Sequence, residues 1–95
     1  LSESTCTALL EYLRYVVTDG TAYNAESSDF KSAGKTATAQ TGRFAYGSEI
    51  YNTWFAGVYP YDNPEYAIVV MCENGTSGAA DCCPVFRTIV EKLNK

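Results

Sequence analysis

The sequence predicts a small α+β fold, in which an antiparallel three-stranded sheet is flanked by an N-terminal and a C-terminal helix. Three observations indicate this class. Apolar residues recur with helical periodicity near both ends, three β-rich runs lie between them, and a turn sequence joins the last two runs. A chain of 95 residues is long enough for one domain with a modest core. Helices segregated from an antiparallel sheet are typical of α+β proteins.

The first helix is predicted over about residues 3–18. Ser2 and Ser4 are both able to cap its start, and Asp19-Gly20 supplies a stop signal. Between these signals, apolar residues at three- and four-residue steps form one helical face: Cys6, Leu9, Leu10, Leu13, Val16 and Val17. Residues 20–30 are polar and predict a loop with room for a short helical turn.

The central part of the chain predicts the sheet. Lys31 to Thr41 has the threonines and the alternation of a strand, whereas residues 42–52 are rich in Gly, Ser and Asn and predict a connecting loop. Trp54 to Tyr61 and Glu65 to Glu73 are two further β-rich runs. Because Asp62-Asn63-Pro64 is a favourable turn, we expect these two runs to form a hairpin.

The last helix follows a Gly- and Ser-containing loop. Asp81 is able to cap its start, and Pro84 is tolerated in a first turn. An apolar stripe then predicts the face that packs on the sheet: Val85, Phe86, Ile89, Val90 and Leu93.

Charge and composition exclude several classes of function. Lys and Arg number 7 against 11 Asp and Glu, which gives a net charge of −4 without any basic run. This argues against nucleic acid or an anionic membrane surface as the partner. The chain has no histidine, so it contains no Ser-His-Asp triad, no Cys-His dyad and no His-bearing zinc site. Acid–base chemistry near neutral pH would have to use Lys, Tyr or perturbed carboxylates.

The four cysteines, Cys6, Cys72, Cys82 and Cys83, show no Cys-x-x-Cys spacing, so zinc is not predicted. We interpret them as small buried hydrophobic residues, with a disulfide from Cys72 to Cys82 or Cys83 as the open alternative. The longest apolar run is too short to span a bilayer. Because the chain begins at Leu1, we expect a segment or processed product of a longer protein.

The stretch Ala33-Gly34-Lys35-Thr36-Ala37-Thr38-Ala39-Gln40 resembles the Ala-Gly-Lys-Thr-Gly-Thr-Ala-Gln motif of penicillin-binding transpeptidases. Further stretches resemble class B penicillin-binding proteins in the same order along the chain. They are the helix that leads into this strand, the hairpin after it and the approach to the last helix: Leu10–Ala22, Trp54–Pro60, Asn63–Val70, Glu73–Gly75 and Pro84–Arg87. The resemblance therefore covers most of the sequence.

The resemblance implies a penicillin-binding-protein or serine β-lactamase-like fold in which the Lys-Thr strand edges the active-site cleft. Lys35 would place positive charge near the substrate's terminal carboxylate, and Thr36 would hydrogen-bond that carboxylate. The backbone N–H of Thr38 would be one of two donors to the tetrahedral oxyanion. Ala37 occupies the position where the family has glycine, so it is a candidate substrate-binding position that departs from the pattern.

The implied activity is peptidoglycan D,D-transpeptidation through an acyl-serine intermediate, which β-lactams would intercept. The implied partners are a stem peptide, β-lactams and the remainder of the transpeptidase domain, with no metal or organic cofactor. The implied location is the extracytoplasmic face of a bacterial membrane. Residues 1–95 would be the C-terminal segment of the domain, inert alone, with exposed apolar patches and self-association through a sheet edge or helix face.

The nucleophile motif of this family, Ser-x-x-Lys, has two formal matches, which begin at Ser28 and Ser32. A nucleophile motif should open a helix so that its serine and lysine face each other one turn apart. Both matches lie in or just before the Lys-Thr strand, where positions three apart face opposite ways. We therefore assign neither as a nucleophile, and no Ser-x-Asn motif is present.

Two alternative functions remain open at the level of sequence. A serine β-lactamase shares the motif set and the acyl-serine intermediate. A degenerate transpeptidase-like module that binds cell-wall peptides or acts as a scaffold, without catalysis, is favoured by Ala37.

Overall fold

The computed structural model describes residues 2–27 and 29–94 and confirms the predicted α+β class. Its three strands form one antiparallel sheet in the order β1-β2-β3, with a helix at each end of the chain. The elements are α1 (Glu3–Asp19), a 3₁₀ turn (Tyr23–Ala25), β1 (Ala33–Ala45), β2 (Ser48–Tyr59), β3 (Tyr66–Cys72), α2 (Gly78–Asp81) and α3 (Cys83–Leu93).

Helix α1 has the predicted ends, but its apolar face is only partly covered. The Ser2 hydroxyl accepts a hydrogen bond from the Thr5 N–H at 3.2 Å, and the Gly20 N–H closes the last turn on Val16. Val17 is fully buried, whereas Leu9 is 46% exposed. The apolar face of α1 is therefore wider than the surface that the other described residues offer for it to pack against.

The core lies between one face of the sheet and helices α1 and α3. Phe55 of β2 and Phe86 of α3 are fully buried, and their rings meet edge to face with centroids 4.7 Å apart. Val17 and Val90 pack into the same cluster from the two terminal helices. Tyr59 lies at its end, where its hydroxyl donates to the Asn94 side chain. The burial of these side chains is the main stabilisation that the sheet receives.

The prediction of a loop over residues 42–52 was wrong, because this segment forms a second hairpin. Strands β1 and β2 continue to Ala45 and from Ser48, and a two-residue turn joins them. Both turn residues, Tyr46 and Gly47, have positive φ, which is the geometry of a turn that matches strand twist. The register shifts between Gln40 and Phe44, so a bulge interrupts the ladder.

The prediction that Asp81 caps the last helix was also wrong. Asp81 is the final residue of α2, and Ser77 caps that short helix by accepting from the Ala80 N–H at 3.0 Å. Helix α3 begins at Cys83 without a side-chain cap, and Pro84 occupies its first turn as predicted. The Asp81 carboxylate instead accepts hydrogen bonds from the preceding loop and from β2.

Much of the sheet face opposite α3 is exposed among the described residues, although Leu13 of α1 lies at the end of this face near Ala33. Val69 of β3 is 62% exposed, Met71 is 42% exposed, and Ala56 of β2 is also exposed. The expected apolar surface is thus present on this sheet face, and exposed apolar side chains also lie on the two terminal helices, such as Leu9 of α1 and Val85 of α3. Self-association through a sheet edge or a helix face stays a prediction.

The four cysteines are free, which differs in part from the sequence interpretation. Cys82 and Cys83 are buried as expected, Cys72 is half-buried, and Cys6 is exposed. Burial, together with the neighbouring Cys82, raises the pKa of the Cys83 thiol to about 11, so this thiol is unreactive at neutral pH. No helix in the described part of the chain has the length and apolar character to cross a membrane.

Candidate active site

All four predicted site residues lie on β1, and β1 is an edge strand. It pairs with β2 along one side, and its other side has no strand partner among residues 2–27 and 29–94. Opposite Lys35, Thr36, Ala37 and Thr38 stand Ala56, Phe55, Trp54 and Thr53. Alternate backbone N–H and C=O groups of an edge strand point away from the sheet, so β1 is able to pair with an extended peptide.

The start of β1 is anchored by Arg14 of α1. Its guanidinium forms a two-pronged ion pair with Glu26, at 2.7 and 3.0 Å, and donates to the carbonyl oxygen of Ser32 at 2.7 Å. The guanidinium carbon also lies 5.8 Å from the Tyr61 ring centroid. Since a fork-shaped guanidinium fixes both partners, Arg14 ties the helix and the loop to the residue before β1.

Lys35 is exposed on the open face of the sheet, and its ammonium donates to the carbonyl oxygen of Thr36 at 3.2 Å. It shares this face with Ala37, as the alternation of a strand predicts. In the part of the chain that the structure describes, no carboxylate forms an ion pair with it. The ammonium is therefore free to bind an anionic ligand beside the strand.

Thr36 faces the helical side of the sheet and is held from two directions. Its hydroxyl lies 3.2 Å from the hydroxyl of Thr21. On the other side, Gly78 packs so closely that an added Cβ would lie 2.9 Å from Thr36 Cβ and 2.5 Å from the Trp54 carbonyl oxygen. A hydroxyl has one donor and two acceptor sites, so a bond donated by Thr21 leaves the Thr36 proton free for an anion.

Ala37 and Thr38 are both exposed where the strand leaves the packed part of the fold. Ala37 stands opposite Trp54 on the Lys35 face, so its methyl group adds to the surface beside the lysine. Thr38 stands opposite Thr53, whose hydroxyl binds Asp81. The four predicted residues thus follow one another along the unpaired edge of β1, with Lys35 and Ala37 on the open face and Thr36, which is half-buried, and Thr38 on the other.

Sequence reasoning missed the residues that support Thr36. The sequence pattern includes Thr21 only in a stretch that resembles the family, and it predicts a helix-capping role for Asp81. One oxygen of Asp81 accepts from the Thr53 hydroxyl at 3.0 Å and from the backbone N–H groups of Thr76 and Ser77 at 2.6 and 3.0 Å. Burial raises the pKa of this carboxyl, but its three hydrogen bonds outweigh burial and hold the pKa below the ordinary value.

The formal Ser-x-x-Lys match that begins at Ser32 does not form a nucleophile site. Ser32 is fully buried and immediately precedes β1, and Lys35 follows within that strand rather than one helical turn away. Ser28 lies outside the described residues. A serine nucleophile and its lysine would therefore have to come from residues other than Ser32 and Lys35.

Comparison with solved structures gives the same fold across the whole chain. The transpeptidase domain of the FtsI4 D,D-transpeptidase from Legionella pneumophila has a TM-score of 0.87 and 29% identity, over 100% of this chain and 37% of that one. Penicillin binding protein 3 from Mycobacterium tuberculosis, complexed with ampicillin, has a TM-score of 0.81 and 29% identity. The match covers 98% of this chain and 24% of that protein.

Sequence comparison agrees. The peptidoglycan D,D-transpeptidase MrdA of Haemophilus influenzae is 31% identical over 67% of this chain, and an FtsI homolog of Mesostigma viride is 30% identical over 97%. This chain spans 11% and 16% of the lengths of those relatives. The family model described as the penicillin binding protein transpeptidase domain matches residues 1–91. The resemblance to class B penicillin-binding proteins is thus confirmed, and the chain belongs to the penicillin-binding-protein transpeptidase domain family.

Proposed function

We propose that this chain forms the edge-strand wall of the active site in a peptidoglycan D,D-transpeptidase. The single observation that carries the proposal is the placement of Lys35, Thr36 and Thr38 on the unpaired edge of β1. The match of nearly the whole chain to the transpeptidase family supports it. Residues 1–95 would be the C-terminal segment of that domain, and they would contribute binding and charge stabilisation rather than the nucleophile.

The geometry of β1 supports a division of roles among its residues. A stem peptide would lie along the free edge as an added strand, with its terminal carboxylate beside the Lys35 ammonium and the Thr36 hydroxyl. The N–H of Thr38 would donate to the carbonyl oxygen as the attacking serine converts it to an oxyanion. The serine's own N–H would be the second donor. Removing one such donor typically raises the barrier by about 3 kcal/mol.

The acyl transfer would run through a nucleophile outside the residues assigned here. The serine oxygen would attack the peptide carbonyl, the C–N bond would break with a proton passing to the leaving amine, and an acyl-serine would remain. A second peptide's amine would then take the acyl group. A β-lactam would acylate the same serine when its ring opens. We place this chemistry at the extracytoplasmic face of a bacterial membrane, where peptidoglycan lies.

Labelling by a fluorescent penicillin tests the proposal, on the full-length protein that carries these residues and on its Ala37→Gly variant. Stable labelling of the natural sequence is the expected result. Rapid loss of the label would instead indicate a serine β-lactamase. The 95-residue chain alone should not be labelled, and labelling of this chain would contradict the assignment of the nucleophile elsewhere.

A second candidate function is a non-catalytic module that binds cell-wall peptides. Ala37 favours it, because its methyl group stands on the Lys35 face where the family pattern has glycine. If the natural protein remained unlabelled and Ala37→Gly restored labelling, the methyl group would be the element that blocks the cleft. That outcome would make the binding module the better assignment.

A further inference from the structure

A carboxylate lies behind the Lys-Thr strand, and one of its oxygens organises the segment that packs on that strand. Asp81 Oδ2 accepts from the Thr53 hydroxyl at 3.0 Å, from the Thr76 N–H at 2.6 Å and from the Ser77 N–H at 3.0 Å. We call these four residues the Asp81 cluster. Two of its donors belong to the loop before α2, and the third belongs to β2, so the carboxylate joins the loop to the sheet.

The loop held in this way carries Gly78 onto the candidate site. Ser77 donates its N–H to Asp81, and its hydroxyl caps α2 by accepting from the Ala80 N–H. The next residue, Gly78, is buried, and a Cβ added to it would lie 2.9 Å from Thr36 Cβ and 2.5 Å from the Trp54 carbonyl oxygen. Because no side chain intervenes, the backbone position of Gly78 sets the space in which Thr36 can turn.

The member of the Asp81 cluster that lies in the sheet, Thr53, is also next to the candidate site residues. Thr53 is the cross-strand neighbour of Thr38, and Trp54, whose carbonyl meets Gly78, is the neighbour of Ala37. The cluster therefore fixes the strand beneath the site and the loop above it through one acceptor. No other carboxylate among the described residues makes hydrogen bonds to both a loop and the sheet in this way.

We infer that Asp81 is a positioning residue that holds the Thr36 hydroxyl in place for the substrate's carboxylate. The inference rests on the proposed function of β1. Its chemical basis is that an ionised carboxylate only accepts, so the Thr53 hydroxyl and both N–H groups must donate to it. Hydrogen bonds to a charged acceptor are shorter and stronger than neutral ones. The low pKa of Asp81 keeps that acceptor charged at neutral pH.

The test measures acylation of the full-length protein by benzylpenicillin and by benzylpenicillin methyl ester, with the dissociation constant Ks separated from the acylation rate constant. In Asp81→Ala, we expect Ks for benzylpenicillin to rise about tenfold, the ratio that one hydrogen bond to a charged group typically controls. Ks for the methyl ester should hardly change, since the ester lacks the carboxylate that Thr36 would bind. Asp81→Asn keeps one acceptor oxygen, so its Ks for benzylpenicillin should lie between the values of the natural protein and of Asp81→Ala.

Matched variants separate positioning from general damage. Thr53→Ser keeps the hydroxyl and should retain the natural Ks, whereas Thr53→Val removes the hydroxyl at similar volume and should raise Ks for the free acid. Asp62→Asn, in the exposed turn before β3, is the control and should change neither ligand's Ks. A lower labelled fraction with an unchanged Ks in Asp81→Ala would mean a purely structural role and would overturn the inference.

Amide hydrogen exchange distinguishes this failure from failure of the proposed function. If the natural protein is not acylated at all, the proposed function fails. The packing relation is still measurable, since residues 35–38 and 74–78 should both exchange faster in Asp81→Asn than in the natural protein. Faster exchange in the loop alone, with residues 35–38 unchanged, would overturn the positioning role whatever the outcome of acylation.

Discussion

The two halves of β1 differ sharply in their surroundings. The three residues directly before Lys35 are buried: Ser32 and Ala33 are fully inaccessible, and Arg14 donates to the Ser32 carbonyl. From Ala37 onward the strand is largely exposed and runs out into a two-stranded ribbon that β3 does not reach. The candidate site lies where these halves meet. The comparison shows how an edge strand is held in place from its packed half while its site residues remain open to an extended ligand.

The largest effect should come from the core beneath the packed half. Phe55→Ala removes a fully buried ring that meets Phe86 edge to face, and we expect a loss of about 3–5 kcal/mol in the free energy of unfolding. Phe44→Ala on the ribbon, where the ring is 66% exposed, should change it by less than about 0.5 kcal/mol. Denaturant unfolding of the chain measures both. Similar losses for the two variants would contradict the contrast between the halves.

A smaller effect is expected at the anchor of the packed half. Arg14→Ala leaves the Ser32 carbonyl and the Glu26 carboxylate without their donor, which should cost about 1–3 kcal/mol. Arg14→Lys keeps the charge but not the two-pronged geometry, so it should lose part of that amount. The same unfolding measurement applies. A lysine variant as stable as the natural chain would show that charge alone is sufficient.

The Asp81 cluster should give a pH dependence of defined sign. The pKa of the Asp81 carboxyl in the folded state is below the ordinary value of 3.8. Ionised Asp81 therefore contributes stability at pH values above 3.8. This contribution is lost as the pH falls through the folded-state pKa. Unfolding curves at several pH values should therefore show that the free energies of unfolding of the natural chain and of Asp81→Asn become more alike as the pH falls. A gap between them that stayed constant across this range would exclude ionised Asp81 as its cause.

The smallest effect on stability should occur at Thr21, which contacts β1 at Thr36, where the two halves of the strand meet. Thr21→Val removes an exposed hydroxyl, so the free energy of unfolding should change by less than about 0.5 kcal/mol. The Ks of the full-length protein for benzylpenicillin should nevertheless rise a few-fold, because the Thr36 hydroxyl loses its hydrogen-bond partner. Thr21→Ser is the matched control. An unchanged Ks in the valine variant would remove Thr21 from the site.

Sequence patterns predicted the order of elements well because each has a local physical signal. The hairpin of β2 and β3 followed from Asp62-Asn63-Pro64, and α1 followed from its periodicity and from Ser2. The ribbon was missed because Tyr46 is an uncommon residue at positive φ, and the bulge near Gly42 has the composition of a loop. Of the two turn residues, only Gly47 is of a type that commonly adopts positive φ. A single glycine does not distinguish such a turn from a loop.

The support of the site was harder to predict than its members. Lys35, Thr36, Ala37 and Thr38 are contiguous, so one motif finds them all. Asp81 precedes a proline by three residues and has the local pattern of a helix cap. Its contact with Thr53 spans 28 positions and depends on how the loop before α2 folds back onto the sheet. Such long-range contacts leave no periodicity or spacing in a single sequence.

The most direct test of the central claim is a crystal structure of the full-length protein acylated by a penicillin. The account predicts that the acyl carbonyl oxygen lies about 2.7–3.1 Å from the Thr38 backbone nitrogen. It also predicts that the ligand's carboxylate accepts a hydrogen bond from Thr36 and lies beside Lys35, with Gly78 packed behind it. An acyl group whose carbonyl oxygen and carboxylate lie away from β1, with that edge still unoccupied, would contradict the assignment of β1 as the wall of the active site.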